Sequence, residues 1–145
     1  MRRGFPGEPR IVERFGKVNE PIFLALDQVL GIHAKSLNEH GGSEGIRDLG
    51  LIESALASAQ NTFFYANGDL FDVAASYAFH LAEAQAFLDG NKRTGVAAAL
   101  VFLALNGVYA QPPQWALYLA MIDVAEKKKS KADLAEIFRA SAGPV

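Results

Sequence analysis

Cysteine is absent from the 145 residues, which excludes a disulfide framework and any thiolate metal site. Long apolar runs are missing as well. Asp, His or Gln interrupts each of them well short of the ~20 residues that crossing a bilayer takes. Neither sign of charge is in excess: 14 Lys+Arg stand against 16 Asp+Glu, for a formal net charge of −2. The molecule as a whole therefore has no electrostatic pull toward nucleic acid, and no direct nucleic-acid binding is expected. After Met1-Arg2-Arg3 comes Gly4-Phe5-Pro6-Gly7 instead of an apolar stretch, so no secretory signal is expected. What is present is apolar material: 50% of the residues are hydrophobic, far from the composition of a disordered chain. A chain of this length suits one domain that buries roughly two-thirds of its unfolded surface. These bounds lead to the expectation of a single-domain, cytoplasmic protein with no membrane partner.

The pattern along the chain is helical. Residues 1–19 are charged and broken by Gly4, Pro6, Gly7, Pro9 and Gly16. The run Arg10 to Phe15 between these breaks reads either as a short strand, flap or arm, or as a loosely packed terminus. From residue 20 to 145 the chain reads as one all-α bundle of about six helices. A first helix is predicted from Pro21, with Phe23, Leu26, Leu30, His33 and Leu37 on one stripe and Gly41-Gly42 ending it. A short second helix is predicted over Leu51 to Ala59. The third should run from an Asp69 cap to Phe87, its inward stripe ending at Gln85. The fourth, from Asn91 or Lys92 to Leu105, is apolar nearly all round and so is expected to be the central, buried helix. A fifth begins near Pro112-Pro113 and ends in Glu126-Lys127-Lys128-Lys129. The sixth starts at Ser130, with Asp133 three residues on in a near capping box.

The chemistry concentrates between the third and fourth helices, in Gln85-Ala86-Phe87-Leu88-Asp89-Gly90-Asn91-Lys92-Arg93-Thr94. A helix starting at Asn91 points the free N–H groups of its first turn outward, which makes an anion site. Gly90 lets a phosphate approach the backbone, while Lys92 and Arg93 add positive charge, Arg93 in bidentate form. Asp89 is placed to hold a hard cation such as Mg²⁺ together with phosphate oxygens. The same residues also fit a plain Asp-Gly turn capped by Asn91, with Lys92 and Arg93 in water, and residue chemistry alone leaves the two readings level.

Phe87-Leu88-Asp89-Gly90-Asn91-Lys92-Arg93 resembles the core of the Fic/Doc superfamily motif, His-x-Phe-x-(Asp/Glu)-(Ala/Gly)-Asn-(Gly/Lys)-Arg. Asn-Lys-Arg-Thr is similar to the death-on-curing (Doc) toxin branch, because Fic enzymes proper have Gly where Lys92 stands. Glu39 to Gly42, Gly45 to Leu56, Tyr77 to His80 and Ala99 to Leu103 also resemble Doc toxins. The resemblance implies a compact Fic/Doc-like helical bundle and a toxin of a toxin–antitoxin pair. It further implies transfer of the γ-phosphate of ATP to a hydroxyl of a protein target, with elongation factor Tu as the known type of target. AMP transfer of the Fic type is the alternative, as is a catalytically inactive nucleotide- or partner-binding module. Carried over by position, Asp89 would bind Mg²⁺, and Gly90, Asn91, Lys92, Arg93 and Thr94 would hold the nucleotide. Asp89, Asn91 and Arg93 would form the catalytic set. A separate antitoxin would restrain the protein by laying an amphipathic segment into a groove.

One position departs from the family pattern. Gln85 stands where the family has the His that takes the proton from the attacking hydroxyl. A carboxamide hydrogen-bonds a hydroxyl but takes no proton from it at neutral pH, and losing a general base removes about 10²–10⁴ in rate. His80 is no obvious replacement, since five residues on a helix turn it roughly 140° from the face of Gln85. Nothing in the sequence places His33 or His40 near the motif. The run Lys127 to Lys131 reads as charge complementing a helix C-terminus. Trp115 and Tyr118 read as core or edge packing beside a partner groove.

Overall fold

The computed structural model describes residues 20–143; the predicted N-terminal arm or flap lies outside them. Six helices follow one another: α1 (Leu26–His40), α2 (Leu49–Phe64), α3 (Leu70–Ala84), α4 (Asn91–Leu105), α5 (Gln114–Ala125) and α6 (Lys131–Ser141). Among the described residues the only extended pairing consists of two isolated antiparallel bridges, Ile46 with Phe87 and Ala110 with Ala142. The fold is all-α, as expected, and no helix among these residues is long and apolar enough to cross a membrane.

α3 is the central helix. Leu70, Phe71, the unbroken run Val73 to Ala78, and Leu81 are all buried on it, because α2, α4, α5 and α6 pack around it. This corrects the expectation that α4 holds that place. α4 buries Thr94, Gly95, Ala98, Ala99, Phe102 and Leu103, but Val101 and Leu105 reach solvent. The two helices approach closely at Gly95, where a Cβ would lie 2.6 Å from the carbonyl oxygen of Ala78. A full burial such as that of Phe102 is worth about 1.5–3 kcal/mol.

Several helix ends differ from the sequence reading, each for a local reason. α1 begins at Leu26 and not at Pro21, because the preceding main chain is claimed by distant side chains. Ile22 exchanges bonds with the Asn106 carboxamide at 2.8 and 3.0 Å, and the Leu24 amide donates to Tyr77 Oη at 2.9 Å. Burial pushes the Tyr77 phenol up to about 12. Phe23 then seats against the rings of Phe63, Phe64 and Phe102. α2 runs on to Phe64 because Ala59 and Phe63 continue the buried stripe of Ile52 and Leu56. The Thr62 hydroxyl donates back to the Ser58 carbonyl, so the polar residues there do not break the helix.

The caps of α3 and α6 are as expected. Asp69 and Asp72 form a reciprocal capping box, as do Ser130 and Asp133. Arg139 on α6 donates to Asp69 at 2.8 Å and lies over the Phe71 ring, which fixes α6 to the start of α3. On α5, Trp115 and Tyr118 are exposed, not core residues.

Candidate functional site

α3 stops at Ala84, three residues short of the predicted end. Gln85 takes left-handed angles, φ 50 and ψ 43, and the chain turns aside. Ala86 and Phe87 drop into the core at 1% exposure each. The loop of residues 41–48, between α1 and α2, lies against this turn. Arg47 and Asp48 both donate to the Ala86 carbonyl, and Leu88 donates to that of Gly45. Asn91, first residue of α4, folds its carboxamide back onto Phe87, accepting from the amide at 3.1 Å and donating to the carbonyl at 3.0 Å.

Between these anchors lies the exposed rim of the motif. The Asp89 carboxylate accepts from the Ser43 amide through Oδ2 at 3.1 Å and from the Gly90 amide through Oδ1 at 2.8 Å. Those two amides, with Arg93 adding to them, hold the carboxyl below the ordinary carboxylate range. Asp89 is therefore ionised at neutral pH. Gly90 has φ +77, and a Cβ there would meet the Arg93 guanidinium at 3.3 Å; glycine alone satisfies both demands. Arg93 donates from Nη2 to the Gly41 carbonyl at 2.8 Å. One corner of its fork thus ties α4 to the end of α1, and the side chain stays exposed. Lys92 is exposed beside it. Thr94 is the first residue of α4 whose amide bonds back, to Gly90 at 3.0 Å. The amides of Asn91, Lys92 and Arg93 precede it at the free end, where a helix leaves donors unpaired.

The structure thus brings Asp89, Gly90, Lys92 and Arg93 to one exposed helix end. It does not bring Thr94 there. Thr94 is fully buried, its hydroxyl has no partner and its amide is spent within the helix, so it presents nothing outward to a nucleotide. Asn91 offers its main-chain amide only. Gln85, expected on an inward stripe, is exposed, because the left-handed turn rotates it off that face.

Two histidines lie close to the motif although the sequence does not place them there. His33 is buried beneath the loop, its ring stacked on Phe87 and its Nε2 2.8 Å from the Asp89 carbonyl. The available signal was a polar ring on an apolar stripe, which must find a partner. His40 lines a groove of about 690 Å³ with an apolar floor including Val96, Leu100, Leu117 and Met121, and with Glu39 and Lys92 among its charged lining. Ser36, in the same groove, carries a buried hydroxyl without a partner. His80 is elsewhere: it meets Lys131 on α6, Nζ to Nε2 at 3.0 Å.

The described residues contain no cluster of three or more side chains able to hold a metal. One ionised carboxylate beside free helix amides nevertheless suits Mg²⁺, which is bound through one or two carboxylates and completes its shell with phosphate oxygens and water. Gly90 leaves room for phosphate at the same helix end.

Comparison with known proteins decides the family. The Fic/DOC family model matches residues 23–103. The chain belongs to the Fic/DOC family. It is 35% identical over 86 residues to the protein kinase doc of Escherichia phage P1, a match that covers 59% of this chain and 68% of that protein. With the toxin Doc of Mycolicibacterium smegmatis it is 44% identical over 70 residues, covering 47% of this chain and 54% of the relative. The match to the family ends within α4, so α5, α6 and the wall that α5 adds to the groove lie beyond it.

Proposed function

We propose that this chain is a Doc-like toxin of a toxin–antitoxin pair, a cytoplasmic phosphotransferase scaffold that uses ATP and Mg²⁺ against a hydroxyl of a protein target. Elongation factor Tu is the target implied by the resemblance. The observation that carries this reading is the sharing of one helix end by an ionised carboxylate, Asp89, and the positive set formed by the α4 amides, Lys92 and Arg93. Bound there, ATP would supply the phosphoryl group, and Mg²⁺ would neutralise part of its charge. Asp89 would hold the cation, the free amides of Asn91, Lys92 and Arg93 would donate to phosphate oxygens that Gly90 leaves room for, and Arg93 would meet the developing charge with the free part of its fork. The hydroxyl oxygen bonds to the γ-phosphorus as the bond to the β-phosphate oxygen breaks. The hydroxyl proton then needs an acceptor, and Gln85 is a poor one, so transfer is slow in this sequence.

Lys92 favours γ-phosphate transfer over AMP transfer, because the resemblance puts Gly at that position in AMP-transferring Fic enzymes. The groove between α1, α4 and α5 supports an antitoxin partner: it is apolar along its floor, charged at its edge, and opens beside Lys92 and Arg93. An amphipathic helix laid there would cover the approach to the nucleotide end. Gln85 favours a second reading, in which the chain binds nucleotide or partner without catalysis.

The test is Gln85→His with elongation factor Tu and ATP labelled at the α- or γ-phosphorus. The kinase reading expects γ-label on the target and a gain of about 10²–10⁴ over the parent chain. Transfer of α-label instead makes it an AMP transferase. No transfer of either label, with nucleotide affinity unchanged, leaves the binding module.

A further inference from the structure

His33 is a buried side chain that the proposed reaction does not use. It is 6% exposed on α1, and its ring lies nearly parallel to that of Phe87, centroids 3.7 Å apart and planes 11° from each other. Its Nε2 is 2.8 Å from the main-chain oxygen of Asp89. A carbonyl oxygen only accepts, so Nε2 bears the hydrogen and donates.

The peptide plane carries this bond to the other side of the loop. In a planar trans peptide the C=O and the following N–H point in opposite directions. With the Asp89 carbonyl drawn inward to His33, the Gly90 N–H faces outward, where it donates to Asp89 Oδ1 at 2.8 Å. The other carboxylate oxygen accepts from Ser43 at 3.1 Å. A reversed Asp89–Gly90 peptide would release Oδ1 and turn the negative end of a carbonyl dipole toward the helix end that attracts anions.

We propose that His33 is the positioning residue of this site: by pinning the Asp89 carbonyl from below, it sets the Asp89–Gly90 peptide plane and, through it, the aim of the Asp89 carboxylate. The stack on Phe87 fixes the ring plane, so the donor is aligned before any ligand arrives. The benefit to nucleotide binding rests on the proposed function; the control of the peptide does not.

The experiment uses the full chain and the variants His33→Phe, which keeps the stack and removes the donor, and His33→Gln, which restores an N–H at similar reach. Two quantities are read: hydrogen exchange at the Gly90 and Ser43 amides by NMR, and affinity for Mg²⁺ with ATP by calorimetry. In His33→Phe both amides should exchange about tenfold faster and affinity should fall about tenfold, the size of one lost buried hydrogen bond. His33→Gln should recover most of both. Unchanged exchange in His33→Phe overturns the proposal, as does failure of His33→Gln to recover it. If the parent chain binds no nucleotide while exchange responds as expected, the positioning role stands and the proposed function falls. Should His33→Phe fail to fold, NMR of the parent chain with isotope-labelled histidine decides: an Nε2 without hydrogen overturns the proposal, and a protonated Nε2 with a protected Gly90 amide supports it.

Discussion

Asn91 and Phe87 exchange two hydrogen bonds, so the first residue of α4 and the apolar anchor of the motif loop form one unit. The arrangement uses both ends of a carboxamide, and no other side chain of that size has a donor and an acceptor so placed. Asn91→Ala leaves two main-chain groups of Phe87 without partners and should cost about 1–3 kcal/mol for each that stays buried. Asn91→Asp keeps the acceptor and should cost less stability. It adds negative charge at an anion site, however, and should weaken Mg²⁺–ATP binding at least as much. Thermal unfolding and calorimetry on the two variants separate these effects.

Arg93 divides its guanidinium between the Gly41 carbonyl and the exposed helix end. Arg93→Lys keeps the charge but loses the fork, so one ammonium must serve either the tether or the phosphate. Affinity for ATP should fall about tenfold, the worth of one charge-assisted bond. Because the site is exposed, the melting temperature should move little. A large loss of stability with unchanged affinity would assign Arg93 to the tether alone.

Gly95 sits where α4 crosses α3, and the atom facing it is a main-chain oxygen that no rotamer change moves aside. Gly95→Ala should destabilise by about 1–3 kcal/mol or more, as overpacking does. Gly31, on the exposed side of α1, meets nothing within 4 Å. Gly31→Ala should therefore stabilise by up to about 1 kcal/mol. Opposite signs from the same substitution, read by chemical denaturation, would confirm that packing decides the first and helix propensity the second.

Burial, with the Lys131 charge adding to it, lowers His80 from 6.5 to about 4. The unfolded chain then takes up a proton that the folded chain refuses. The sign follows: stability is full above pH 6.5, declines as pH falls toward 4, and loses nothing more from this group below that. His80→Gln should flatten that decline in a plot of melting temperature against pH. A slope unchanged by the substitution would mean that other groups carry it.

The helices were legible where periodicity and caps agreed. Asp69, Ser130 and the Asn106-Gly107 stop fall where the sequence puts them, because capping is a local interaction between neighbours. The errors lie where distant groups intervene. Asn106 and Tyr77 take the main chain before Leu26 out of helix, and no window of neighbouring residues contains either of them. α3 ends short of where its periodicity predicts because the loop of residues 41–48 holds Ala86 from across the fold. Asp89, Gly90, Lys92 and Arg93, expected together from chemistry and resemblance, do lie at one helix end. The inward turn of Thr94 and the inward carboxamide of Asn91 could not be read from the sequence, since both depend on what lies beneath α4. His33 carried a signal, a polar ring on an apolar stripe, but its partner is 56 residues away in the chain and is a main-chain oxygen, which no side-chain pattern reveals.

The left-handed turn at Gln85 separates what residue 85 presents from what holds the loop in place. Because the turn carries that side chain out of the core, the fold has little stake in which polar residue stands there. One polar substitution at position 85 therefore changes what the turn presents to solvent and leaves the packing of Ala86 and Phe87 and the start of α4 as they were.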